Sequence, residues 1–135
     1  MKRFLIYCGF FLLVILSCEK DVYDTDKDLT INDWRVVKLR KQGDLSYTST
    51  ENLYILKFLN DTTFVISLDI NGCGGQYKII SNGNIELEPL YCTEICCDSD
   101  FADDLIQLIP QMTKYYKKEN EMIFEGQGKI VFKNY

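Results

Sequence analysis

Six cysteines are the residues of this chain best suited to chemistry; they stand at positions 8, 18, 73, 92, 96 and 97. A thiol serves as nucleophile, metal ligand or disulfide partner, and the nucleophile needs a base or cation that holds it as thiolate. The chain contains no histidine. That excludes Ser/His/Asp and Cys/His nucleophile systems, HExxH zinc sites and His-ligated haem. Cys73, Cys92, Cys96 and Cys97 are therefore read as structural. In an exported protein four thiols make two disulfides, with three possible connectivities. The expected pairing is Cys73 with Cys97 and Cys92 with Cys96: the second closes a short local loop and the first ties a Gly-rich turn to the start of a helix. Adjacent cysteines at 96 and 97 fit a CxxC zinc knuckle poorly, so no metal is expected there.

Other constellations carry less. Gly72-Cys73-Gly74-Gly75 lacks the Gly-Lys-Ser/Thr ending and following helix of a phosphate loop, and reads as a tight connection between strands. Asp98, Asp100, Asp103 and Asp104 suggest calcium, but an EF-hand needs glycine and glutamate where Asp103 and Ile109 stand; helix capping explains them better. Glu86 and Glu88 share one strand face, opposite Ile85 and Leu87, which makes that face solvent and unsuited to acid/base work. Tyr91, Tyr115 and Tyr116 are candidates for an aromatic concavity taking peptide, glycan or a small apolar ligand, against core packing as the plainer account. No catalytic residue and no cofactor is assigned.

The elements that must position these residues are mostly strands. From about Thr30 onward short alternating runs separated by turn residues mark antiparallel β structure. Strands are expected at Trp34 to Leu39, Tyr54 to Leu59, Thr63 to Ile70, Gln76 to Ser81, Asn84 to Leu90, Lys114 to Lys118, Glu121 to Phe124 and Lys129 to Phe132. Phe64, Ile66, Leu68 and Ile70 share the core face. Ser81-Asn82-Gly83 predicts a tight hairpin. A single helix is expected, with Phe101, Leu105, Leu108 and Met112 on one face, Ser99 or Asp100 at its cap, and an end near Leu108 to Ile109 because Pro110 follows. The fold class is mainly β with one short helix (α+β): a small curved antiparallel sheet or partial barrel of seven or eight strands.

The N-terminal segment reads as a targeting signal. Lys2 and Arg3 precede an apolar run from Phe4 to Leu16, which is too short to span a bilayer requiring about 20 residues. Ile15-Leu16-Ser17-Cys18 resembles the lipobox of bacterial lipoproteins, in which the cysteine is lipidated and exposed by cleavage. The expected organisation is a signal peptide at 1–17, a flexible acidic tether at 18–30 carrying lipid on Cys18, and one domain at 31–135. Lys20 followed by Asp21 looks like the surface-export signal of Bacteroidetes lipoproteins, placing the protein on the outer membrane, with exposure at the cell surface. Each buried CH₂ of such an anchor contributes about 0.8 kcal/mol.

The order of elements also resembles a family. A strand opening on Trp34, a strand with Phe64, Gly72-Cys73 followed by Tyr77, a hairpin, Thr93-Glu94-Ile95-Cys96-Cys97, a helix with Phe101 and Leu105, and closing strands resemble the META domain. This HslJ-like family comprises small exported bacterial proteins and kinetoplastid relatives. Its Gly-Cys-Asn turn and Thr-x-Met-Ala-Cys segment find counterparts in Cys73 and Cys97, although Gly74 stands where Asn is usual, Cys96 replaces a small residue and Cys92 is extra. The resemblance implies a strongly curved sheet with one packed helix, no established catalytic residues, and ties to envelope stress, drug tolerance and secretion.

The chain is 47% apolar and 26% charged, and its 135 residues make one domain with a real core. Removing Lys2 and Arg3 with the signal leaves 13 basic against 20 acidic residues, a net of −7. Such a surface repels nucleic acid and anionic headgroups. The expected function is a non-enzymatic, membrane-anchored envelope protein with a binding or stress-protection domain. The alternative is a lipocalin-like small-ligand carrier, for which a continuous apolar cavity would speak, whereas a filled interior would speak for the interaction module.

Overall fold

A computed structural model describes residues 28–81 and 83–135; Cys8, the proposed lipidation site Cys18 and most of the expected tether lie outside the described residues. The strands are β1 (Asp33–Lys41), β2 (Thr48–Ser49), β3 (Ile55–Phe58), β4 (Thr63–Ser67), β5 (Gly72–Ser81), β6 (Asn84–Leu87), β7 (Tyr91–Cys92), β8 (Met112–Lys118), β9 (Glu121–Gly126) and β10 (Gly128–Asn134). The helix α1 (Asp100–Leu108) runs into a 3₁₀ turn at Ile109–Gln111. All pairings are antiparallel, in the order β10-β9-β8-β6-β5-β4-β3-β1, and β10 also pairs with β1. The sheet therefore closes into an eight-stranded barrel, with β2 and β7 as short side strands on β1 and β5. The fold class expected from the sequence, mainly β with one helix, is the one observed. Among the described residues no helix is long and apolar enough to cross a membrane.

Alternation builds the wall, with one informative exception. Trp34 and Val36 point inward from β1, but the next buried residue is Leu39, because the β1–β10 register shifts between Val36 and Lys38. The extra residue of this bulge keeps Lys38 outside and strengthens local twist where the barrel closes. On β4, Phe64 and Ile66 are buried as expected; Leu68 follows them inward just past the strand, while Ile70 is exposed because β4 stops at Ser67.

The Gly-rich segment is a strand and not the expected tight connection. Gly72 to Gln76 pair with Ser67 to Thr63, and Gly75 lies opposite Phe64. A Cβ on Gly75 would come within 2.9 Å of the Phe64 ring, so the glycine makes room for an aromatic side chain inside the wall. The hairpin at its far end is as expected: Ser81 pairs with Asn84, and Gly83 takes φ +79°, the left-handed conformation glycine adopts without strain.

The barrel axis is filled. Tyr54, Phe64, Tyr115, Phe124 and Phe132 are fully buried, and they pack with Trp34, Leu56, Phe58, Ile66, Met122 and Ile130 into one core. Phe58 meets Tyr77 edge-on at 4.8 Å between ring centres, and Phe124 meets Phe132 at 5.0 Å. Helix α1 adds Ala102, Leu105 and Leu108 to the same core and stacks Phe101 on Tyr54 at 5.5 Å. It crosses the end of the barrel where β1 finishes and β10 begins, held by the Lys41–Asp104 ion pair at 2.8 Å. Leu29 is also buried, and the Asp28 carbonyl accepts from Lys117 Nζ, so the folded domain reaches back past the expected boundary at residue 31.

Candidate functional site

Beside the capped end of the barrel, β7 and residues 93–99 form a cysteine-rich connection leading into α1. Its disulfides differ from the expected pairing. Cys73 is bonded to Cys92, and Cys96 is bonded to Cys97. The reason lies in the Gly-rich segment: as a strand it puts Cys73 in a ladder, directly across from Cys92 on β7, with Cα atoms 4.0 Å apart. Once those two are joined, Cys96 and Cys97 have each other. Cys73 is 3% exposed and part of the core, whereas Cys96 and Cys97 are exposed. With all four sulfurs bonded in pairs, none is left as a thiolate for zinc.

Two side chains that local sequence reading missed anchor this connection. Asn71 accepts through its side-chain oxygen from the Ile95 amide at 2.7 Å and the Thr93 hydroxyl at 2.9 Å. Asp69 accepts from the Tyr54 hydroxyl at 2.8 Å, from Asn52 at 2.8 Å, and from both the amide and the hydroxyl of Ser99 at 2.9 and 2.7 Å. Asp98 works in the opposite direction, reaching back to the Ile70 amide at 2.9 Å and the Asn71 side-chain amide at 2.7 Å. The partners lie 17 to 30 residues apart along the chain for Asn52–Asp69, Ile70–Asp98 and Asp69–Ser99, so no local motif announces them.

These hydrogen bonds set the charge state of the corner. Partial desolvation pushes Asp69 upward, but the bonds donated by Ser99, Tyr54 and Asn52 outweigh it and hold the carboxyl below the ordinary carboxylate range. Asp98 behaves alike: desolvation raises it, and the donors on Ile70 and Asn71 bring it below its usual value despite nearby Asp69. Both carboxylates are thus charged acceptors built into a loop junction. Asp98 is fully engaged by backbone and amide donors and Asp104 by Lys41, while Ser99 caps α1 by accepting from the Ala102 amide at 3.3 Å. Capping of α1 thus falls to Ser99, one of the two residues expected, whereas Asp98 serves the segment between β4 and β5 and Asp104 the ion pair with Lys41.

Three clefts take in candidate residues. One of about 390 Å³ lies against the cysteine-rich connection and is lined by Leu68, Asn71, Glu94, Cys96, Cys97 and Asp98, among others. A second of about 650 Å³ lies outside the barrel wall and takes in Asp61, Tyr77, Lys78, Glu86 and Glu88. There Glu86 and Glu88 are exposed, and Lys78 faces Glu86 across the β5–β6 ladder. Tyr77 lines it too, with its ring in the core: burial, then the charges of Asp61 and Asp28, push its phenol up to about 12, and its hydroxyl donates to the Asn60 carbonyl at 2.7 Å. The third, of about 220 Å³, sits beside Lys41 and Asp104.

The three tyrosines suggested as an aromatic concavity do not converge. Tyr115 is in the core, Tyr116 lies on the outer wall donating to Glu125 at 2.8 Å, and Tyr91 is 80% exposed on β7. The β1–β10 register sets Arg35 opposite Lys133 and Arg40 opposite Lys129, with Lys38 between them and the Tyr47 ring 4.8 Å from Lys38 and 5.1 Å from Arg40. The adjoining strand β9 answers two of these charges, Lys129 pairing with Glu125 and Lys133 with Glu121.

A closed eight-stranded antiparallel barrel with a helix across one end defines the class of this protein. One solved structure of similar fold is a DUF4847 family protein from Bacteroides vulgatus ATCC 8482, with a TM-score of 0.60 over 82% of this chain and 96% of that one. At 11% identity the likeness is one of fold. No protein-family model matches the chain, and no curated protein does.

Proposed function

We propose that this chain is an envelope lipoprotein of the META type, held at the outer membrane by lipid on Cys18, whose barrel is a non-enzymatic binding or stress-protection module acting through its outer surface. The observation that carries the surface reading is the packed axis: Tyr54, Phe64, Tyr115, Phe124 and Phe132 fill the space a lipocalin-like carrier would keep for its ligand. Admitting a ligand would mean expelling aromatic side chains, each worth about 3–5 kcal/mol in a core.

Two measurements test the reading. Metabolic labelling with a tagged palmitate marks the wild-type protein and not the Cys18→Ala variant; a wild-type chain that stays unlabelled and leaves the membrane fraction in low salt overturns the anchor. Titration with an apolar fluorescent probe, followed through Trp34, gives no saturable response; stoichiometric quenching with displacement by fatty acid would make the protein a carrier.

A further inference from the structure

We propose that Cys96–Cys97 is a reversible thiol-exchange site, open to small neutral or cationic thiols, while Cys73–Cys92 stays closed. The inference stands independently of the tethered-module reading.

Four observations carry it. Both sulfurs belong to exposed residues, whereas Cys73 is buried in the barrel wall. A bridge between neighbours in sequence encloses no intervening residue, so it restricts the unfolded chain hardly at all and has little to offer as a structural staple. The segment around it is held without it: Asn71 fixes Thr93 and Ile95 on one side, and Asp98 fixes itself to Ile70 and Asn71 on the other. Finally, Cys97 has φ +71°, a left-handed backbone that non-glycine residues seldom adopt.

The chemistry is ordinary exchange. A thiolate attacks one Sγ, the S–S bond breaks, and its electron pair leaves on the other sulfur, which takes up a proton. A second thiolate then attacks the incoming thiol's sulfur in the mixed disulfide and releases the remaining cysteine, which is protonated in turn. Two thiols are oxidised to one disulfide and the 96–97 pair gains two electrons and two protons. The surroundings select among reductants. Glu94, Asp98 and Asp103 line the adjoining cleft and, among the described residues, no lysine or arginine does, so anionic thiols are repelled and cationic ones drawn in.

The test uses the full-length protein in neutral detergent. It is exposed separately to cysteamine, 2-mercaptoethanol and mercaptoethanesulfonate, quenched with N-ethylmaleimide, and cut with a protease that cleaves after Glu94. Before reduction, the peptide beginning at Ile95 is two hydrogens lighter than its dithiol form. On reduction, Cys96 and Cys97 acquire label at least about tenfold faster than Cys73 and Cys92. Rates expressed per thiolate fall from cysteamine to mercaptoethanol to the sulfonate, and the spread narrows as salt is added. A Cys96→Ser/Cys97→Ser variant keeps the barrel's circular dichroism and melting profile and loses the fast label. Equal labelling of all four cysteines, a native peptide without the two-hydrogen deficit, or a rate order indifferent to thiol charge would overturn the assignment.

Discussion

Cys73–Cys92 and Cys96–Cys97 are made from the same side chain and lie in adjoining parts of one molecule, yet their surroundings assign them different tasks. The first ties two paired strands, encloses a long stretch of chain and keeps Cys73 away from water. The second joins neighbours on an exposed connection whose ends are already hydrogen bonded. The lesson is that a disulfide's contribution depends on the loop it closes and on its exposure. Counting cysteines reveals neither.

The barrel wall and the cysteine-rich connection should accordingly fail under different insults. The largest effect is expected in the wall: Phe64→Ala removes a ring packed on Gly75 and facing Phe58 and Tyr77, and should cost about 3–5 kcal/mol in urea unfolding. A cost under about 1 kcal/mol would mean that the axis is less tightly filled than described. Next comes the comparison of disulfides. Cys73→Ser/Cys92→Ser should lose about 3 kcal/mol, the value for a closed loop of this size, while Cys96→Ser/Cys97→Ser should stay within about 0.5 kcal/mol of wild type. Equal losses would erase the distinction between the two.

A third effect is smaller and depends on pH. The folded values of Asp69 and Asp98 lie below their unfolded ones, so their stabilisation is complete above an unfolded carboxylate value of about 3.9 and is lost as pH falls through the folded values. Hydrogen exchange at the amides of Ile70, Asn71, Ile95 and Ser99 should therefore accelerate on acidification before exchange inside β3 and β4 does. Asp69→Asn should flatten this dependence at Ser99. Smallest of all, Glu86→Gln/Glu88→Gln should shift stability by no more than about 0.5 kcal/mol, because both side chains are exposed on the outer wall. A loss of several times that size would point to a partner these carboxylates hold.

Much of the barrel was legible because strand and helix periods are local. Alternation placed Phe64, Ile66, Ile85 and Leu87 inside and Glu86 and Glu88 outside, and Pro110 ended α1 where expected. Illegible were Gly72 to Gly75, whose composition says turn. They form a strand, in which Gly75 leaves room for the Phe64 ring across the ladder. The cysteine pairing went astray with them, since strand register decides which sulfurs meet. Asp69 and Asn71 gave no signal, because what makes them matter lies on another loop.

By itself, then, the sequence determined the β-rich class, the helix with its cap at Ser99 or Asp100, the exclusion of histidine chemistry and the participation of four cysteines in disulfides, all of which follow from composition or from contacts between near neighbours. Only the tertiary structure decided that the sheet closes through β1 and β10, that Cys73 meets Cys92 and leaves Cys96 to Cys97, and that Asp69 and Asn71 anchor the connection into α1. Register brings together residues a hundred positions apart, and a one-residue bulge at Val36 to Lys38 suffices to turn a side chain from core to solvent.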